Sequence, residues 1–142
     1  MALQKIHLIL TGGTIDSYYE STKDTAVPHK HSVLPEYIKS LNLYDEFEFT
    51  EICMKDSREI TSSDIKKIFK TIEKSPYKRI IITHGTYTMP DTARYLEANL
   101  KKKDKVIIFT GSMIPLTGFA PSDAPFNLGF SISQSHMLPN GI

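Results

Sequence analysis

Hydroxyl side chains sit beside glycine at three points in this sequence, each time at the end of a short apolar run. Thr11–Gly12–Gly13–Thr14 follows Ile6–Leu10, Thr83–His84–Gly85–Thr86 closes the run from Arg79, and Thr110–Gly111–Ser112 follows Val106–Phe109. A threonine or serine hydroxyl donates and accepts hydrogen bonds. Once a base or an ordered phenol network draws off its proton, it also attacks carbonyl carbon. Glycine lets the backbone turn sharply and approach a ligand, and its amide N–H groups can stabilise an oxyanion. Three such loops brought together would hold a small polar molecule by hydroxyls and backbone amides. Taken singly, each is more simply a cap for the helix that follows. Thr-Gly-Gly-Thr also invites a phosphate-loop reading, but the Gly-Lys-Ser/Thr ending and the G-x-G-x-x-G spacing are both missing, so a nucleotide is a distant third choice.

Placing the loops together requires a sheet. Ile6–Leu10, Glu46–Met54, Arg79–Thr83 and Val106–Phe109 read as strands, the last two being continuous and apolar as buried parallel strands are. Between them lie helical patterns. Pro35–Leu43 carries Ile38 and Leu41. Thr61, Ser62 and Ser63 offer caps ahead of Ile65, Ile68, Phe69 and Ile72 at helical spacing, while Pro90 and Pro125 open helices running to Leu100 and Met137. The alternation predicts an α/β fold, an open, doubly wound parallel sheet in three α/β/α layers of Rossmann-like form, with ligands outside the carboxyl ends of the strands. Residues 14–32 are polar and predict a long mobile loop; Leu138–Pro139–Asn140–Gly141–Ile142 predicts a turn feeding a fifth strand.

The 142 residues contain 17 Lys plus Arg against 16 Asp plus Glu, a net charge of +1, so composition gives no reason to expect nucleic acid or a membrane surface as partner. The run Lys101–Lys102–Lys103 reads as a solvated helix end. Cys53, the single cysteine, reads as a buried strand residue of a reducing compartment. The first five residues, Met1 to Lys5, carry no export-signal pattern, and no apolar run reaches membrane-helix length. His7, His29, His31 and His136 lack ligand spacing, so no metal is expected.

Thr11–Gly12–Gly13–Thr14–Ile15 resembles the opening motif of the bacterial L-asparaginases and glutaminase-asparaginases. His84–Gly85–Thr86–Tyr87–Thr88–Met89 resembles their second motif, Asp56–Ser57 their substrate loop, and Val106–Pro115 with Ser122–Leu128 the segment that follows. The match runs in order along nearly the whole chain. It implies an amidohydrolase that converts L-asparagine to L-aspartate and ammonia in the cytoplasm, without a cofactor, in a homo-oligomer. Thr14 would be the nucleophile, assisted by Tyr18 or Tyr19, and Thr86 a member of the second catalytic cluster. Asp56, Ser57, Gly13, Gly85, Tyr87 and Ser112 would contact substrate, Ser57 through the α-carboxylate. His84 is expected to brace its turn; Arg58 either reaches a substrate carboxylate or bridges to Asp64.

Two departures accompany the resemblance. Tyr87 stands where the second motif has aspartate, whose carboxylate meets the substrate's ammonium group, and a phenol does not supply that charge. The family's catalytic lysine and its smaller C-terminal domain fall past Ile142, so residues 1–142 read as one N-terminal-type domain. The alternative reading is therefore an amino-acid-binding module of the same fold that has lost catalysis.

Overall fold

The computed structural model describes residues 4–142; of the first five residues discussed above, Met1 to Leu3 lie outside it. In chain order come strand β1 (Ile6–Gly12), a hairpin of β2 (Ser17–Glu20) and β3 (Thr25–Pro28), helix α1 (Leu34–Ser40), β4 (Phe47–Lys55), α2 (Ser62–Lys74), β5 (Arg79–Thr83), α3 (Met89–Asn99), β6 (Val106–Thr110) and α4 (Ala124–Met137). The main sheet has order β4-β1-β5-β6 and is parallel throughout. β1 lies in the interior, buried along its whole length. Its alternating side chains feed two cores. Ile6, Leu8 and Leu10 pack with Leu34, Ile38, Leu128 and Ile132 under α1 and α4. Ile9 packs with Ile68, Ile72 and Leu96 under α2 and α3. The result is the expected doubly wound, three-layer α/β fold. Winding reverses between β1 and β5, and a sheet of this kind opens a crevice at that reversal, outside the strand ends.

Local chemistry explains the helices. Pro35, Pro90 and Pro125 fall in first turns, where no N–H is required of them. Thr61 and Asp64 form a reciprocal capping box at the start of α2. Asp64 also pairs with Lys55 at 2.7 Å, tying the end of β4 to that cap.

Three expectations change. The segment after Thr14 is no irregular loop: Tyr18 pairs with Val27 and Tyr19 with Ala26 in an antiparallel ladder. Cys53 is half-buried, because β4 is an edge strand bonded on one side. Arg58 leaves Asp64 to Lys55 and holds Asp56 instead, at 2.9 Å. The turn after α4 does lead to the sheet edge. Gly141 bridges Val106 in parallel, its N–H donating to the Lys105 carbonyl at 2.9 Å and its carbonyl accepting from the Ile107 N–H at 2.8 Å. Among the described residues no helix is long and apolar enough to cross a membrane.

Candidate active site at the strand ends

The hydroxyl–glycine loops meet through their backbones. A Cβ added to Gly13 would lie 2.6 Å from the Gly85 nitrogen; one on Gly85 would lie 2.7 Å from the Ser57 Cβ; one on Gly111 would lie 2.5 Å from the His84 carbonyl oxygen. No side chain fits at these contacts, so glycine is what lets loops from β1, β5 and β6 and the turn after β4 close on one another. Hydrogen bonds then lock them. Thr11 donates its hydroxyl to the Thr83 carbonyl at 2.6 Å, Gly13 its N–H to Lys55 at 2.8 Å, and His84 its N–H to Thr110 at 2.9 Å. His84 is buried, with ring contacts to the Gly85 carbonyl and the Thr92 hydroxyl at 2.7 and 2.9 Å, and burial lowers its pKa. It braces the turn.

The candidate residues take different stations around this junction. Thr14 is half-buried on the first turn past Gly13, and Thr86 is exposed in the second loop, its hydroxyl 3.9 Å from the Met113 sulfur. Ser57 is buried, accepting from the Thr88 N–H at 3.3 Å, while the Thr88 hydroxyl donates to the Ser57 carbonyl at 2.8 Å. Ser112 is buried too, but its hydroxyl donates to the Ile114 carbonyl of its own loop at 2.6 Å. Asp56 accepts from the Arg58 backbone N–H and from its guanidinium, which holds the carboxyl below its usual range. Tyr87 is 77% exposed. The two hairpin tyrosines project separately: Tyr18 packs on the His29 ring, 5.2 Å between centroids, and Tyr19 donates its hydroxyl to Asp24, which raises its pKa.

Asp16 is a residue that sequence reasoning passed over. Two positions after Thr14, it is fully buried, with Oδ1 accepting the Val33 N–H at 2.9 Å and Oδ2 without a hydrogen-bond partner. Its backbone carbonyl accepts from His29, and the Ser17 hydroxyl donates to Gly13 at 2.7 Å, so the base of the hairpin is pinned beside Thr14. Burial raises the Asp16 pKa, although the nearby Ser32 hydroxyl and the Val33 N–H work the other way. A carboxyl raised on folding contributes stability that is complete below its unfolded value, about 3.9, and is lost as pH rises through the folded value. Asp16→Asn keeps an acceptor for Val33 and never ionises. It should therefore melt higher than the parent at pH 7, with the gap closing by about pH 4; a variant that melts lower at pH 7 contradicts a charged, desolvated Asp16.

A three-layer fold with glycine-bound hydroxyl loops at its switch point defines a class, and comparison with known proteins specifies it. Residues 5–135 match the family model described as asparaginase, N-terminal. The chain is 32% identical over 136 residues to L-asparaginase 2 of Escherichia coli, covering 90% of this chain and 38% of that protein. It is 30% identical to L-asparaginase 2 of Bacillus subtilis, covering 89% of this chain and 35% of that one. Among solved structures, the thermostable L-asparaginase of Thermococcus kodakarensis superposes with a TM-score of 0.76 at 27% identity, over 98% of this chain and 43% of its own. A probable cytoplasmic L-asparaginase of Campylobacter jejuni gives 0.75 at 27%, over 94% and 42%. This chain belongs to the asparaginase family, aligned with its N-terminal domain. It spans well under half the length of the curated relatives it matches.

Proposed function

We propose that this chain carries the nucleophile side of an L-asparaginase-type amidohydrolase acting on asparagine or a near analogue. The observation that carries the reading is the backbone junction of Gly13 with Gly85, which brings the Thr14 and Thr86 loops to one point at the switch between β1 and β5. In the proposed reaction the Thr14 hydroxyl oxygen attacks the side-chain amide carbon. The carbon–nitrogen bond breaks, and ammonia leaves with the proton from the hydroxyl. Water then cleaves the threonyl ester, restoring Thr14 and releasing the carboxylate. Backbone N–H groups of the glycine turns would stabilise the oxyanion, and Ser57 would face the substrate carboxylate. Of the two hairpin tyrosines, Tyr18 suits proton transfer better: the bond from Tyr19 to Asp24 makes its phenol hold its proton more tightly. Ammonia release from asparagine and glutamine tests the proposal; binding without release would favour the amino-acid-binding module, the reading that Tyr87 supports.

A homo-oligomer belongs to the same proposal. Between Ala124 and Met137, α4 carries no Asp, Glu, Lys or Arg, yet it exposes Phe126 (74%), Phe130 (58%) and Met137 (75%), the two phenyl rings stacked 6.1 Å apart. An uncharged aromatic helix face of this kind asks for cover. Light scattering should give a mass of at least twice the 16.1 kDa of one chain, and a monodisperse monomer at high concentration would contradict it. The cytoplasm remains the proposed compartment.

A further inference from the structure

We infer that Asp16 is a positioning residue for the Thr14 hydroxyl: its buried carboxylate ties the turn bearing Thr14 to the head of α1, and that tie sets where the hydroxyl stands. The inference rests on the amide-hydrolysis reading above and adds to it a residue that acts through Thr14 rather than on substrate.

The Thr14 hydroxyl makes no hydrogen bond to the protein among the described residues, so the backbone beneath it decides its place. That backbone is short. Thr14–Asp16 form one 3-10 turn, opened by Gly13 and closed where the Ser17 N–H donates to the Thr14 carbonyl. A single turn has too few internal hydrogen bonds to hold itself, and its neighbours supply the rest. The His29 N–H donates to the Asp16 carbonyl at 3.0 Å, and the Leu116 N–H to the Ile15 carbonyl at 3.2 Å. Both bonds join backbone groups and survive a substitution at position 16. The third tether does not survive one. Asp16 Oδ1 accepts the Val33 N–H at 2.9 Å, and Oδ2 has no hydrogen-bond partner, so the grip passes through one side-chain oxygen.

The far end of that tether is firm. Val33 stands at the head of α1, whose Leu34 and Ile38 are buried in the same core as Ile15. The entry to α1 is clamped a second time, because the Ser32 N–H donates to Glu51 Oε2 on β4 at 2.9 Å. Two successive N–H groups thus go to two carboxylates, one on the sheet and one on the Thr14 turn. Through them Asp16 registers the turn against α1 and the edge of the sheet. Asp16 itself is fully buried, so solvent does not compete for the bond.

Ammonia release from asparagine, with kcat and KM separated, and hydrogen–deuterium exchange of the backbone amides test this on the same samples. Asp16→Ala removes the tether, whereas Asp16→Asn keeps an acceptor for Val33. Glu51→Ala is the matched control, since it loosens the same entry to α1 without touching the turn. Asp16→Ala should lower kcat by about 10- to 100-fold, as a displacement of about 1 Å can, and leave KM within about threefold. Asp16→Asn and Glu51→Ala should both keep kcat within about threefold of the parent. Exchange should quicken at the Asp16 and Ser17 amides in Asp16→Ala alone, with those of β5 unchanged. A thermal melt checks folding; if Asp16→Ala does not fold, Asp16→Glu, which shifts the acceptor by one methylene, should lose rate in the same direction. Parent-like kcat in Asp16→Ala, equal losses in Asp16→Ala and Glu51→Ala, no rescue by Asp16→Asn, or turn exchange unmoved by Asp16→Ala overturns the inference. The two readings separate. Ammonia release indifferent to Asp16→Ala sinks the inference and keeps the hydrolase. A parent that releases no ammonia, with turn exchange quickened in Asp16→Ala, removes the hydrolase and keeps Asp16 as the residue that places Thr14.

Discussion

Thr14→Ala should take amide hydrolysis to background, a loss of at least about 10³-fold, while leaving the protein folded. The size of the effect follows from position. The other hydroxyls at the junction are spent or displaced: Ser57 is buried and engaged with Thr88, Ser112 is bonded to Ile114, and Thr86 is turned toward Met113. The Thr14 hydroxyl makes no hydrogen bond to the protein among the described residues, and the residue is half-buried, so its loss leaves no unpaired group and only a small void. The melting temperature should stay within about 2 °C of the parent, since a change of this kind is worth only a few tenths of a kcal/mol. Ammonia release within about tenfold of the parent would remove Thr14 from the chemistry and leave Thr86 as the group to examine.

Gly13→Ala should be strongly destabilising for a single methyl group. Gly13 has φ 79° and ψ 179°, a region that essentially only glycine enters, and the new Cβ would lie 2.6 Å from the Gly85 nitrogen and 2.7 Å from its Cα, against backbone rather than a flexible side chain. Neither loop can give way, because each is bonded to a neighbouring strand end. We expect a loss of about 2–4 kcal/mol, a fall in Tm of about 8–15 °C, and loss of any activity that depends on the junction. Gly129→Ala is the matched control. Gly129 lies in α4, and its added Cβ would meet nothing within 4 Å, so the same methyl group there should stabilise by about 0.5–1 kcal/mol. Equal Tm values for the two variants would show that the loops do not touch as described.

The sheet was legible because its strands carry the signal themselves. Ile80–Thr83 is an unbroken β-branched run, and with Arg79 it forms the strand. The hairpin at Ser17–Pro28 was illegible for the opposite reason. It stands off the sheet, and from Tyr18 to Pro28 none of its residues is buried, so no apolar alternation marks it. Its pairing rests on cross-strand contacts between tyrosine, alanine and valine, with Asp24 at φ 50° in the turn. Asp16 was missed because a single aspartate in a polar stretch reads as solvated, and its burial is decided by α1 and the hairpin arriving from either side. The loop motifs announced themselves by glycine spacing, but which hydroxyls stay free and which are tied down depends on neighbours far away in the chain. Ser112 is tied within its own loop to Ile114, whereas Ser57 is tied to Thr88, 31 residues away.

The hydrogen bond from Thr11 to Thr83 closes a loop of 72 residues. Closing a loop that long costs chain entropy before any contact returns it, and parallel strands cannot shorten the path with a hairpin. The junction of Gly13 and Gly85 is therefore a late event in folding: β1 must first find β5 across the whole of α1, β4 and α2. A chain stalled with only β1 and β4 paired would bury much of its apolar surface yet hold no site at all. On the proposed function, binding of a small amide would report the finished sheet and should be lost with the first opening of the β1–β5 seam.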